Sequence, residues 1–384
     1  MEHHEGRAHA LLSASGSHRW MACLPSAKLE EQFPDTTSEA AREGTLAHEI
    51  CEAKAMGMLG YITEDVERRF LEDSRQNELY QPEMEGYTDS YVEFIHNEMI
   101  GYGARPYVAL EKRVDLTSYI PEGFGSVDCI IIGGDTIQVV DFKYGKGVPV
   151  SAEKNPQMML YALGAYRAYS LLYSFSRIKM TIFQPRIDNT NTWECSVDEL
   201  LAFGEIVKEK AAIAYEGGGE YVPGDHCRFC RARAVCRARA DYSVQLAFDD
   251  NFGEDRALLS NDEIGRYLEL GESVAKWVED LKEHALSECL AGRDVAGYKA
   301  VAGRSTRAFD DMDAAFTDLM EGGIDEALLY ERKPLTLAKI EKAIGKKVFN
   351  ELVGEHVIKS EGKPTLVPES DKREAINSLE KAFG

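Results

Sequence analysis

Residues 125–143 read GSVDCIIIGGDTIQVVDFK, and no other stretch restricts the fold as strongly. Two runs rich in Val, Ile and Thr flank Gly133-Gly134-Asp135, a pattern that predicts a β-hairpin with a tight turn. A two-residue Gly134-Asp135 turn of the II′ kind pairs Gly133 with Thr136. Counting outward then pairs Asp128 with Asp141. Directly opposed residues project to one face with Cβ atoms roughly 5 Å apart, and Lys143, two residues beyond Asp141, shares that face. Opposed carboxylates repel unless a proton or a divalent cation lies between them. Asp128, Asp141 and Lys143 are therefore a candidate site for a hard cation and its water. The competing reading is an acidic pair at a rim, with Lys143 as a surface ion pair of little energetic weight.

The flanking segments supply the rest of a mixed α/β core. Helical spacing of Leu46, Ala47, Ile50 and Ala53 predicts a helix over 38–58, capped by Thr36 or Thr37. A short helical entry precedes it within 10–33, and a second amphipathic helix spans 82–99. Residues 107–114 and 177–185 read as strands. Asn155 as cap and Pro156 at the first position open a helix over 155–172, and 197–216 reads as another. Helices packed on a sheet follow from this order. Beyond about residue 241 the chain reads as mainly helical, with one strand-like piece at 297–302. The expected domains are 1–240 and 241–384.

The chain has 384 residues and a formal charge of −22, so its average field repels polyanions and any nucleic-acid contact must be local or metal-assisted. No apolar run approaches the roughly 20 residues of a membrane span, and the opening MEHHEGRAHALLSASGS lacks the form of a secretory signal. A cytoplasmic protein with no membrane partner is the expectation. On the helix after the hairpin, Gln157 and Tyr161 are four apart and share a face. His48 lies mid-helix, where a lone histidine is ordinarily a packed or solvated residue.

Taken together these segments resemble the PD-(D/E)XK nuclease superfamily, in its RecB/AddB-like branch. GTLAH (44–48), GSVD (125–128), DFKYG (141–145) and QMMLY (157–161) match that branch's motifs in order. The likeness covers roughly 10–240 and implies a restriction-endonuclease-like core. The opening LLSASGSHRWMACLPSAKLEE and the later GKPTLVPESDKRE (362–374) also resemble an uncharacterised phage- and prophage-borne family of the branch. Carried over, the resemblance makes His48, Asp128, Asp141 and the Phe142 backbone carbonyl ligands of Mg²⁺ or Mn²⁺. Lys143 would activate the attacking water, and Gln157 and Tyr161 would contact substrate or brace the site. Glu111 is a further acidic candidate. The implied activity is phosphodiester hydrolysis, as an exonuclease on single strands or DNA ends. Its setting would be phage or prophage recombination, replication or repair in a bacterial host. No Walker A loop is visible, so a helicase, or a single-strand annealing or binding protein, would be its partner.

Cys227, Cys230 and Cys236 cluster in HCRFCRARAVC, whereas Cys51, Cys129, Cys195 and Cys289 read as small core residues. In the RecB/AddB-like branch one subgroup carries a [4Fe–4S] cluster with one cysteine before the core and three after it. That resemblance adds Cys23 as the fourth ligand. Four thiolates also suit Zn²⁺. Arg228, Arg231, Arg233, Arg237 and Arg239 fall within the same stretch with no acid between 227 and 240, a candidate phosphate-contacting patch. A solvated segment paired to acidic neighbours is the plainer alternative. Residues 335–367 could form two helices and a β-wing bearing Lys346, Lys347, Lys359 and Lys363; a packing module fits them as well. Against the nuclease stand a non-catalytic DNA- or protein-binding scaffold, which has no need of an intact Asp128/Asp141/Lys143 set, and a redox protein.

Overall fold

The computed structural model describes residues 10–34, 39–147, 149–248, 260–302 and 311–326, with shorter stretches as far as 357. The chain divides into two units, Met1–Ala300 and Val301–Gly384. The first is a mixed α/β structure whose five-stranded sheet runs β1 (Tyr107–Asp115), β2 (Phe124–Gly133), β3 (Thr136–Phe142), β4 (Arg177–Gln184) and β5 (Asn189–Ser196), in that spatial order. Neighbours are antiparallel except β3 and β4, which are parallel. A parallel pair needs a crossover, and α6 (Pro156–Tyr169) supplies it.

The hairpin forms as its sequence dictates. Gly133 pairs with Thr136, and Gly134, at φ +57°, takes the left-handed turn position that a side chain resists. Ile130, Ile131, Val139 and Val140 are fully buried, each stabilising the fold by about 1.5–3 kcal/mol. Both faces of the sheet are covered. One packs on α6 and α7 (Val197–Tyr215) through Ile130, Val139, Leu163 and Leu200. The other packs on α3 (Glu39–Leu59) and α5 (Glu83–Ile100) through Ile131, Phe142, Ile50 and Tyr91.

Two short helices, α1 (Ser17–Trp20) and α2 (Ser26–Glu30), make up the expected helical entry. The α6 cap is as expected: Asn155 accepts hydrogen bonds from the Gln157 and Met158 amides, with Pro156 following. Two elements were not anticipated. Helix α4 (Glu64–Ser74) has one buried residue, and β5 is an edge strand that buries few side chains, so neither carries a strong apolar period. The strand-like piece at 297–302 is no strand; an isolated bridge joins Val295 and Tyr298.

Past residue 240 the first unit continues through α8 (Arg237–Phe248) and α9 (Asn261–Leu290). Buried Asp280 of α9 binds Arg239 at 2.6 Å and Arg233 at 3.1 Å. Removing one partner of a buried pair costs about 3–5 kcal/mol, so this link holds the cysteine segment to α9. The second unit contains α10 (Met312–Glu321) and a helix at Lys346–Val353. The expected wing falls largely outside the described residues, as do Thr36, Thr37, Lys359, Lys363, segment 362–374, and the side chains of Lys346 and Lys347. No described helix is long and apolar enough to cross a membrane.

Candidate active site and cysteine pocket

The site forms where the hairpin's open end meets α3 on one side and α6 on the other. Asp141, 2% exposed, ends the regular alternation of β3 on the α6 side. Lys143 Nζ donates to Asp141 Oδ1 at 3.3 Å and to Gln157 Oε1 at 3.1 Å. Gln157 Nε2 in turn donates to Asp141 Oδ1 and to the Tyr161 hydroxyl, both at 3.1 Å. The four side chains make one network, and the one-turn spacing of Gln157 and Tyr161 on α6 is what lets both take part.

Gly125 is explained by the same network. A Cβ there would lie 2.9 Å from Tyr161 Cε1, so the first residue of GSVD is the space Tyr161 occupies.

Asp128 does not share a face with Asp141 and Lys143 as the hairpin count predicted: the ladder with β3 ends at Cys129 and Val140. The alternation of β2 changes phase at this residue: Val127 packs with Ile130 and Ile132, whereas Cys129 and Ile131 face the other way. β1 breaks at the matching place. Its ladder with β2 pairs Leu110 with Cys129 and Lys112 with Val127 and omits Glu111 and Asp128. Glu111 sits there at φ +43°, left-handed backbone that costs a non-glycine residue about 1–2 kcal/mol. The distortion releases two carboxylates from the pleat. Asp128 Oδ2 accepts a 2.7 Å hydrogen bond from the Phe142 amide and lies 3.5 Å from His48 Nδ1. The His48 ring stands edge-on to Phe142 at 5.2 Å. Ligand atoms of His48, Glu111 and Asp128 all lie within 4.8 Å of one another.

The electrostatics follow from this crowding. Burial, then the neighbouring Asp141, push the Asp128 carboxyl well above the usual range. Burial and Asp128 do the same to Glu111. Burial lowers His48 despite its acidic neighbours, favouring the neutral imidazole that ligates metals. Asp141 Oδ2 is buried and accepts no hydrogen bond, although Lys143 Nζ is 3.1 Å away. The two carboxylates of Glu111 and Asp128 and the neutral imidazole of His48 fit a hard divalent cation. The Phe142 backbone hydrogen-bonds the His48 ring.

One positioning residue carries no sequence signal. Arg186, in the turn after β4, binds Glu43 at 3.1 Å and Glu83 at 2.8 Å and lies 4.5 Å over the Tyr144 ring. It thereby ties the helix bearing His48 to the residue after Lys143. An arginine in QPRIDN looks like any turn residue.

The four expected cysteines share one pocket. Cys23, Cys227, Cys230 and Cys236 line it, together with His226, whose ring bonds the Cys23 thiol and, at 2.9 Å, the Val222 carbonyl. An ion-paired clasp holds the pocket's two walls together. Arg19 binds buried Glu30 at 2.8 Å and donates to the Phe229 carbonyl at 3.1 Å, while Glu30 accepts from the Arg231 amide at 2.7 Å. Four thiols are the donor type of a [4Fe–4S] cluster or of zinc, although among the described residues only His48, Glu111 and Asp128 bring three ligand atoms within 4.8 Å of one another. Of the five arginines, Arg233 and Arg239 serve Asp280 rather than a surface patch, while Arg228, Arg231 and Arg237 are exposed.

A family model described as protein of unknown function (DUF2800) matches residues 9–374. A solved structure titled "Crystal structure of SSO0001" aligns with 56% of this chain and 95% of its own at 13% identity. Its TM-score is 0.24, at which the likeness carries no argument.

Proposed function

The chain belongs to the family described as protein of unknown function (DUF2800), and we propose that it is a metal-dependent nuclease of the PD-(D/E)XK kind. One observation carries this reading. Asp141, Lys143 two residues on, and Gln157 and Tyr161 of α6 close one hydrogen-bonded network, and Asp128 of the adjacent strand lies beside it with His48 and Glu111. A non-catalytic scaffold has no need of an intact Asp128/Asp141/Lys143 set.

His48, Glu111, Asp128 and Asp141 would hold Mg²⁺ or Mn²⁺. When bound, the cation supplies Lewis-acid charge at a phosphate and lowers the pKa of a water. Lys143, braced by Gln157, orients the attacking water. The water oxygen forms the new P–O bond, the ester P–O bond of the strand breaks, and the leaving oxygen takes a proton. Tyr161 holds Gln157 in place. The four thiols would hold a structural [4Fe–4S] cluster, with zinc as the alternative, joining the N-terminal entry to the segment after α7. Action as an exonuclease on DNA ends, with a phage helicase or annealing protein as partner, extends the same reading.

The test is degradation of end-labelled single- and double-stranded DNA with Mg²⁺ or Mn²⁺ by anaerobically purified protein. Wild type should degrade DNA and Lys143→Ala should not. A folded, metal-supplied wild type that leaves both substrates intact rules the nuclease out.

A further inference from the structure

Phe229 is 61% exposed in the segment between Cys227 and Cys230. A large aromatic with that exposure does nothing for the core, yet its backbone is fixed. It closes the 3-10 turn Asp225–Phe229, its carbonyl accepts from Arg19, and Arg19 is held by buried Glu30. The Arg228 guanidinium lies 4.6 Å from the ring centroid. Exposed Arg231 and Arg237 follow, and no acid occurs from 227 to 240. Among the described residues, Glu30 binds Arg19 and the Arg231 amide, Asp280 binds Arg233 and Arg239, and Glu283 binds Arg233.

We propose that Phe229 is a stacking platform for an unpaired base of single-stranded nucleic acid, with Arg228 and Arg237 contacting the flanking phosphates. Aromatic rings interleaved with cations are how sequence-tolerant single-strand sites are built, because every base offers a π-face. A duplex keeps those faces inside its stack, so the platform selects unpaired strands. The patch also gives this acidic chain local attraction for a polyanion. Helix α1, which carries Arg19, packs on α6, which carries Gln157 and Tyr161, so platform and candidate site are connected through two helices. This inference rests on the nuclease reading and adds its substrate class.

The test uses the full chain with Lys143→Ala, so that strands are not consumed. Fluorescence anisotropy measures binding of an oligo-dT and of an abasic strand of equal length, which has the phosphates but no bases. Phe229→Ala should weaken oligo-dT binding ~5- to 100-fold, the worth of one base–aromatic stack. It should leave the abasic strand unchanged, and Phe229→Trp should restore the loss. Arg228→Ala should weaken both strands and reduce the salt-dependence exponent by about 0.7. An unchanged Phe229→Ala, or equal losses on both strands, overturns the platform. Cleavage by the protein with Lys143 intact is read separately. Cleavage with an unchanged Phe229→Ala affinity sinks the platform alone, and binding without cleavage sinks the nuclease alone.

Discussion

Gly125→Ala tests the geometry of the site through its stability and, on the nuclease reading, through cleavage. The added Cβ would lie 2.9 Å from Tyr161 Cε1 and 3.2 Å from Cδ1, where ordinary carbon contacts begin near 3.5 Å. The ring edge belongs to a rigid side chain that is 7% exposed and packed in the core, so it cannot swing aside freely. Relief needs a shift of about 0.5 Å or more in Tyr161 or β2. The Gln157–Tyr161 hydrogen bond starts at 3.1 Å, and such a shift takes it past the 3.5 Å beyond which little bonding remains. Overpacking of this kind costs about 1–3 kcal/mol. In a unit of 300 residues that lowers the melting temperature by roughly 2–5 °C. Gln157 also positions Lys143, so cleavage should fall by on the order of 100-fold, as expected for a misplacement approaching 1 Å. The assays are thermal unfolding by circular dichroism and the end-label assay. The double change Gly125→Ala with Tyr161→Leu removes the clash and should recover stability relative to the sum of the single changes. A Gly125→Ala protein with unaltered melting temperature and cleavage refutes the contact as the reason for this glycine.

Two further outcomes follow from the electrostatics and the thiols. Folding raises the Asp128 and Glu111 carboxyls, so the metal-free folded chain binds more protons than the unfolded chain from about pH 4 upward to the raised values. Their contribution is complete below that window and is lost as pH rises through it. His48, lowered by burial, works with the opposite sign just below its usual value near 6.5. Glu111→Gln should therefore raise the metal-free melting temperature at pH 7–8 and flatten its fall with pH, while weakening Mn²⁺ binding measured by calorimetry; a variant less stable than wild type at pH 8 contradicts this. Anaerobically purified wild type should contain iron and acid-labile sulfide, or zinc, at one group per chain, and Cys23→Ser should lose it. Equal metal content in that variant removes Cys23 from the ligand set.

The hairpin could be read because period, turn and register are local properties. Gly134 and the Val/Ile runs specify the turn and the register as far as Cys129 and Val140, but not the phase change that turns Asp128 toward His48. The same reasoning places Gln157 beside Tyr161, since α6 carries its own cap and its own 3.6-residue period. Arg186, Glu30 and Asp280 had no such signal. Each matters through a partner far away in sequence: Glu43, the Arg231 amide, or the pair Arg233 and Arg239. Nothing local distinguishes an arginine that contacts phosphate from one that meets a buried aspartate, which is why five arginines looked like a single patch and three are exposed. β5 escaped notice for a related reason. As an edge strand it draws its stability from the ladder with β4, and its own side chains show little apolar alternation.

Glu111 shows what such a site asks of the fold. A strictly regular β1–β2 pair would send Glu111 and Asp128 along the pleat on the α6 side, with Ala109 and Ile130. The matched phase change in both strands turns them instead toward His48, at the expense of one left-handed residue and two carboxylates with raised proton affinity. These costs fall where a cation would recover them, since a metal bound to charged carboxylates stabilises the folded chain by mass action. Glu111→Gly separates the two effects. It relaxes the backbone and removes a buried acid, so the metal-free chain should melt higher, while saturating Mn²⁺ should raise its melting temperature less than that of wild type. A metal-free Glu111→Gly chain that melts lower than wild type would mean that the Glu111 side chain, rather than the charge it brings to the site, is what β1 needs at this position.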